Sequence, residues 1–291
     1  MRHIEVENIG SIACYFYESA TPARDNIILG FHGLFQNTTS LHGAIESLRK
    51  YGSVLTLDVP GHGFSKNASN DGLDIGGSVE HIHKKIANSP YGESNLTFYG
   101  YCSGGLVALK YAARFPNQVK SIVLYAIAYG SPLKICGLYD SPEHAFNLLR
   151  YRFSPHDKLD FFRFDEIRKA DEGNDISQKR LEHLAIKKGL EATNLDTALA
   201  LAKAYWDYDA LSIEDGTSSD ADVIAQHNIP VLVIRGGLDR VVSAEQVSML
   251  VKGRSNFKSV EKPDRRHNFA IYFPHELQDI LNSNIDFLKL E

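Results

Sequence analysis

Asn95-Leu96-Thr97-Phe98-Tyr99-Gly100-Tyr101-Cys102-Ser103-Gly104-Gly105-Leu106-Val107-Ala108-Leu109-Lys110-Tyr111-Ala112-Ala113 decides the fold of this 291-residue chain. Its apolar head reads as a strand and its tail as a helix, and the centre leaves room only for a very tight turn between them. A nucleophile on such a turn sits in strained backbone above the sheet, with a helix N-terminus beneath it. The turn closes only where the residues two before and two after the nucleophile are tiny. Centring on Cys102 puts Gly100 and Gly104 at those places. Centring on Ser103 puts Tyr101 and Gly105 there, and the tyrosine ring collides with the turn. The reacting group is therefore expected to be the Cys102 thiol, not the hydroxyl beside it.

Outward from this segment, strand and helix signals alternate. Residues Arg2 to Tyr17 read as a hairpin broken at Asn8-Ile9-Gly10, and Asn26–Phe31 and Val54–Asp58 as strands buried on both faces. Thr39–Tyr51 and Leu73–Asn88 read as helices. Strand Leu96–Tyr99, helix Gly104–Phe115 and strand Val119–Ala126 continue the series. The rhythm fails from about Ser131 to Ala221, a charged, aromatic stretch in which Leu181–Leu190 and Thr197–Tyr208 are the clearest helices. It resumes with strand Ile229–Gly237, strand Phe257–Val260 and one final helix, Phe269–Leu288. The expectation is an α/β fold with a mostly parallel central sheet flanked by helices. Residues 1–130 and 222–291 form its core. Residues 131–221 are expected to be a helical cap over the C-terminal ends of the strands, where open α/β sheets bind ligands.

The segment around Cys102 resembles the nucleophile elbow of the α/β-hydrolase superfamily, with cysteine where most members carry serine. It is similar to the elbow of dienelactone hydrolases, members that use a Cys-His-Asp triad. The rest of the chain looks more like the cap-bearing esterase, thioesterase and carbon–carbon hydrolase branch, and the resemblance covers nearly the whole chain. In this fold the triad partners follow in the order nucleophile, acid, base. Gly236-Gly237-Leu238-Asp239-Arg240 resembles the family's acid loop, which implies Asp239 as the orienting acid. The other place where the fold sometimes carries its acid reads Ala126-Ile127-Ala128, without a carboxylate. His267 follows the last strand and precedes the last helix, matching the position of the catalytic histidine. His275 and His227 are worse placed. A lone histidine beside arginines is ordinarily a surface residue; its place after the elbow and the acid loop is what singles it out.

Phe31-His32-Gly33-Leu34-Phe35 resembles the family's HG motif. Gly33 lets the backbone turn so that the Leu34 N–H faces the site, with the Ser103 N–H as its partner in an oxyanion hole. Asp58-Val59-Pro60-Gly61-His62-Gly63-Phe64-Ser65 also looks like the family, in which that segment is largely structural, so neither His62 nor Ser65 is assigned to catalysis. Among the aromatic residues Tyr129, Phe153, Phe161, Phe162, Tyr205 and Trp206, packing is the ordinary role. Tyr129, Trp206 and Phe269 are the candidates for contact with an apolar or aromatic acyl group.

Composition narrows the classes further. Hydrophobic residues make up 43%, ample for a buried core, and the formal charge of −5 without a basic run argues against a nucleic-acid partner. The longest apolar run, Ile122–Tyr129, is far short of a membrane span, and Met1–Asn8 has no apolar core of signal-peptide type. Cys14, Cys102 and Cys136 form no CxxC pair and suit a reducing cytoplasm. His81-Ile82-His83 points its imidazoles to different faces of a helix, so no metal is expected, and no dinucleotide-type glycine loop implies a cofactor. A thiol at a helix N-terminus beside a histidine favours a thiolate–imidazolium pair. The expected activity is cleavage of an ester or thioester, free or carrier-bound, through an acyl-enzyme resolved by water. The alternatives are acyl transfer or cyclisation in a biosynthetic pathway, carbon–carbon bond hydrolysis, and a ligand-binding member of the fold without turnover.

Overall fold

Alternate residues of the central strands belong to two different cores, which is why those strands read as unbroken apolar runs. The computed structural model describes residues 4–6, 12–21, 26–34, 36–65, 72–92, 95–130, 195–208, 219–239, 241–267 and 269–290. Among them the strands are β1 (Ile4–Val6), β2 (Cys14–Tyr17), β3 (Ile27–Phe31), β4 (Ser53–Leu57), β5 (Leu96–Tyr101), β6 (Val119–Tyr125), β7 (Val231–Gly236) and β8 (Phe257–Lys262). They form a sheet in the order β1-β2-β4-β3-β5-β6-β7-β8. The β1–β2 hairpin pairs antiparallel and joins β4 antiparallel, and all other pairs are parallel.

The helices are α1 (His42–Leu48), α2 (Ile75–Ala87), α3 (Gly104–Arg114), α4 (Leu195–Asp207), α5 (Asp220–Gln226), α6 (Ala244–Val251), α7 (Phe269–Tyr272), α8 (Pro274–Asn282) and α9 (Ile285–Leu288). On one sheet face Ile28, Val54, Val123 and Leu232 pack with Ala44 and Ile45 of α1 and Leu277 and Leu281 of α8. On the other, Leu29, Leu55, Ile122, Leu124 and Val233 pack with Val79 of α2, Leu106 and Leu109 of α3 and Ile224 of α5. Burying one such side chain contributes roughly 2 kcal/mol. Covering both faces is what a parallel sheet requires.

The order places a topological switch between β3 and β5: the chain leaves β3 to one side for β4 and returns to its other side for β5. Such a point opens a crevice at the strands' C-terminal ends. Phe31 is paired with Gly100, so the His32-Gly33-Leu34 and Cys102-Ser103 turns leave the sheet side by side. Gly236 is paired with Lys262, so the loops carrying Asp239 and His267 do the same.

Two local expectations need correction. The helix expected at Thr39–Tyr51 begins with a 3₁₀ turn, Thr38–Leu41, before α1, under an Asn37 side chain that accepts from the Thr39 N–H. The single final helix is three: Pro274 starts α8, and Phe273 before it is driven out of helical geometry (φ −123°, ψ 66°). The stretch expected to form the cap, 131–221, lies outside the described residues except for α4, Tyr208, Ser219 and the start of α5. The expected helix Leu181–Leu190, together with Phe153, Phe161 and Phe162, lies outside them too.

Candidate active site

Cys102 has φ +52°, a left-handed conformation that costs energy for any residue with a Cβ. The turn is pinned on both sides: the Cys102 N–H donates to the Tyr125 carbonyl at 2.9 Å, and the Gly105 N–H donates to the Cys102 carbonyl at 3.0 Å. Close approach explains the two glycines. A Cβ on Gly100 would stand 2.5 Å from Gly105 Cα, and one on Gly104 would stand 2.4 Å from the Phe31 carbonyl oxygen. The tyrosine between Gly100 and Cys102 is in the strand, buried, and stacked on Tyr125 with ring centroids 5.4 Å apart. Ser103 is back in ordinary helical geometry (φ −64°, ψ −23°) at the start of α3. Strain is concentrated at the cysteine, which is half-buried.

His267 Nδ1 lies 2.9 Å from Asp239 Oδ2. The other carboxylate oxygen accepts the backbone N–H groups of Val241 (2.7 Å) and Val242 (2.9 Å). Burial works against the charged carboxylate, yet the His267 hydrogen bond and these N–H groups outweigh it and hold Asp239 below the usual range. For His267, burial opposes the proton, while Asp239 and the Cys102 side chain favour it. The imidazole is raised to about 10. One ring thus connects the sulfur with the acid, and it prefers to be an imidazolium.

Two residues that no local motif singled out hold this pair in place. The buried Arg235 on β7 donates from Nε to the Val242 carbonyl at 2.8 Å, reaches the Gly237 carbonyl with Nη2 at 3.5 Å, and ion-pairs with Glu261. Its two carbonyl partners bracket Asp239. On the histidine side, the Tyr125 hydroxyl donates to the His267 carbonyl at 2.6 Å and accepts the Ala270 N–H at 3.0 Å. The signal for both was a polar group at the end of an otherwise apolar strand.

His32 is buried, and its Nε2 accepts the Val59 N–H at 3.0 Å. Its Nδ1 therefore carries the proton and donates to the Gly33 carbonyl at 2.8 Å. Burial lowers its pKa to about 4, so it stays neutral and staples the Gly33-Leu34 turn to the Val59 loop. The N–H groups of Leu34 and Ser103 donate to no group among the described residues. In the loop 58–65, the Asp58 carboxylate accepts from the N–H groups of Thr38 and Phe64, both at 2.8 Å, and Ser65 Oγ accepts the Ala13 N–H. These contacts organise backbone.

Tyr205 reaches into the site from α4, with its ring edge-on to His62 at 6.4 Å. Burial first, then charge on Cys102, push its hydroxyl above the usual phenol range. Tyr129 and Trp206 are buried in the core on the α3 side of the sheet. Phe269 is buried on the other side, edge-on to Tyr125 at 5.2 Å. His81 Nδ1 meets the Gly77 carbonyl and His83 stacks on Phe115 at 3.6 Å, so the two rings have separate surroundings. Among the described residues no group of three or more metal-ligating side chains converges, and no helix is long and apolar enough to cross a membrane.

A family model described as alpha/beta hydrolase fold matches residues 26–274. Human (Homo sapiens) monoacylglycerol lipase ABHD6 is 30% identical over 111 residues, 38% of this chain and 33% of that protein. The chain spans about a third of the length of the curated relatives it matches. Among solved structures, a carboxylesterase study of the thaumarchaeon Nitrososphaera gargenis supplies a match with a TM-score of 0.71 at 15% identity, covering 99% of both chains. MenH from S. aureus matches with 0.71 at 17%, covering 95% of this chain and 98% of that one. At those identities the likeness concerns the fold alone.

Proposed function

The chain belongs to the alpha/beta hydrolase fold family, and we propose that it is a hydrolase of carboxylic esters or thioesters working through Cys102, His267 and Asp239. The observation that carries this reading is the imidazole shared between the Cys102 side chain and the Asp239 carboxylate, beside a cysteine strained to φ +52°. The thiol proton passes to His267 Nε2, and Sγ forms a bond to the substrate carbonyl carbon. The carbonyl π electrons move to oxygen, where the N–H groups of Leu34 and Ser103 receive the charge. Collapse breaks the bond to the leaving alkoxide or thiolate, which takes the proton from His267. Water then gives a proton to His267 and attacks the acyl-enzyme. The acid leaves as the C–S bond breaks, and the thiol is restored. Asp239 holds the imidazole in the tautomer with Nε2 toward the sulfur.

The likeness to a monoacylglycerol lipase favours oxygen esters as the first substrates to try, with carrier-bound acyl groups second. Residues 131–221 form a helical cap over the site in this reading, and α4, which brings Tyr205 against the His62 loop, supports it. A cysteine nucleophile of the dienelactone-hydrolase kind suits a reducing compartment such as the cytoplasm.

The test is mass spectrometry of the intact protein after a pulse of an activated ester, alongside steady-state turnover. The expected result is one acyl adduct that maps to Cys102 and is absent in Cys102→Ala, with turnover lost in that variant. Full turnover by Cys102→Ala would overturn the assignment.

A further inference from the structure

Gln36 Oε1 is buried and has no hydrogen-bond partner among the described residues. A buried acceptor without a donor is uncommon and calls for an explanation. This one lies against the nucleophile. A Cβ built on Gly33 would stand 3.2 Å from Gln36 Oε1 and 3.4 Å from Cys102 Cβ, so those two atoms, close to one point, are less than 7 Å apart. Gly33 puts no side chain between them, and the Gln36 N–H is tied back to the Gly33 carbonyl at 3.2 Å, which keeps the glutamine on this turn. The amide oxygen therefore lies within reach of a group attached close to a carbonyl bound at Cys102.

We propose that Gln36 is a specificity-determining residue: its side-chain oxygen accepts a hydrogen bond from a hydroxyl of the substrate carried close to the reacting carbonyl. The separation from Cys102 is too short for a group at the far end of an acyl chain. A hydroxyl could come from the alcohol part or from the acyl part, and both supply the same donor. A site with a buried acceptor rejects a substrate lacking the donor, because the acceptor is then desolvated and unpaired. The proposal rests on the ester-hydrolase reading, and its test separates the two.

Two matched pairs serve as substrates: 2-hydroxyethyl butanoate against propyl butanoate, and propyl 3-hydroxybutanoate against propyl butanoate. The expected result is a kcat/KM ratio of about tenfold or more in favour of the hydroxyl in one pair, which identifies its source. The ratio falls toward one in Gln36→Leu and is kept in Gln36→Glu, which still offers an acceptor. Equal rates in both pairs, or a preference that survives in Gln36→Leu, would overturn it. Binding of the ketones in which methylene replaces the ester oxygen, with and without the hydroxyl, reads the same contact without turnover. A hydroxyl-dependent affinity lost in Gln36→Leu supports the Gln36 contact even where no ester is cleaved, and its absence there refutes it. Loss of Cys102 acylation refutes only the hydrolase reading.

Discussion

Asp239 and His267, 28 residues apart in the chain, meet at 2.9 Å because the loops that carry them are zipped together before either side chain is reached. The Gly237 N–H donates to the Lys262 carbonyl at 2.7 Å and the Leu238 N–H to the Arg265 carbonyl at 2.8 Å. A Cβ on Gly236 would stand 2.3 Å from the Arg265 carbonyl oxygen, so glycine is the residue that permits this approach. The Asp239–His267 contact is thus a property of the joint between β7 and β8 as much as of its two side chains.

Stability should depend on pH through this pair. His267 is raised from 6.5 to about 10, so the stability it contributes is complete below pH 6.5 and lost as the pH rises toward 10. Asp239 is lowered, so its contribution is present above pH 3.8 and lost as the pH falls through its folded value. Thermal unfolding of the wild type should show Tm declining between pH 7 and 10, and that decline should be smaller in His267→Gln. Parallel curves would contradict the raised imidazole.

Arg235→Leu should loosen the loop that carries Asp239 while leaving Cys102, His267 and Asp239 themselves in the chain. The expected outcome is a fall in kcat of about tenfold with little change in KM, because orientation of the imidazole is lost and substrate contacts are kept. Stability should drop by about 2 kcal/mol from the orphaned carbonyls. A variant with wild-type kcat and a wild-type pH profile would show that the brace is dispensable.

Tyr125→Phe removes the hydroxyl that both donates to the His267 carbonyl and accepts the Ala270 N–H. The aromatic core around it is kept, so stability should fall by only about 1–2 kcal/mol. Amide exchange at Ala270 should rise more than at Leu232 of the same core. Uniform acceleration at both positions would mean a global effect instead.

Gly104→Ala tests the geometry of the elbow. Its Cβ would meet two backbone carbonyl oxygens, of Phe31 and His32, at 2.4 and 2.5 Å, neither of which can yield without moving β3. The loss should be about 3 kcal/mol or more. Gly253→Ala, at φ +77° with nothing within 4 Å of the added carbon, should cost only about 1 kcal/mol. Chemical denaturation of both variants separates crowding from backbone strain, and equal losses would contradict the distinction.

Much of this was readable in one dimension. The alternation of apolar runs with amphipathic stretches, punctuated by glycine, gives the parallel sheet and its helices, because burial on both faces leaves its mark on every strand residue. The tightness of the turn around Cys102 was legible too, because Gly100 and Gly104 stand where the structure leaves no room for a Cβ. The break of the last helix at Phe273-Pro274 was also written in the chain; the apolar periodicity running through it masked the proline.

The braces were not readable, since Arg235 and Tyr125 look like interruptions of apolar strands until their partners arrive from segments 7 to 145 residues away. The same holds for Gln36, whose meaning depends on its nearness to Cys102 across Gly33. Local sequence determined which elements form and which side chains are chemically able to react, because turn sterics and periodicity act over a few residues. Tertiary structure alone decided which of those groups touch and what proton each one holds. Distances, burial and charge pairing exist only once distant strands lie side by side.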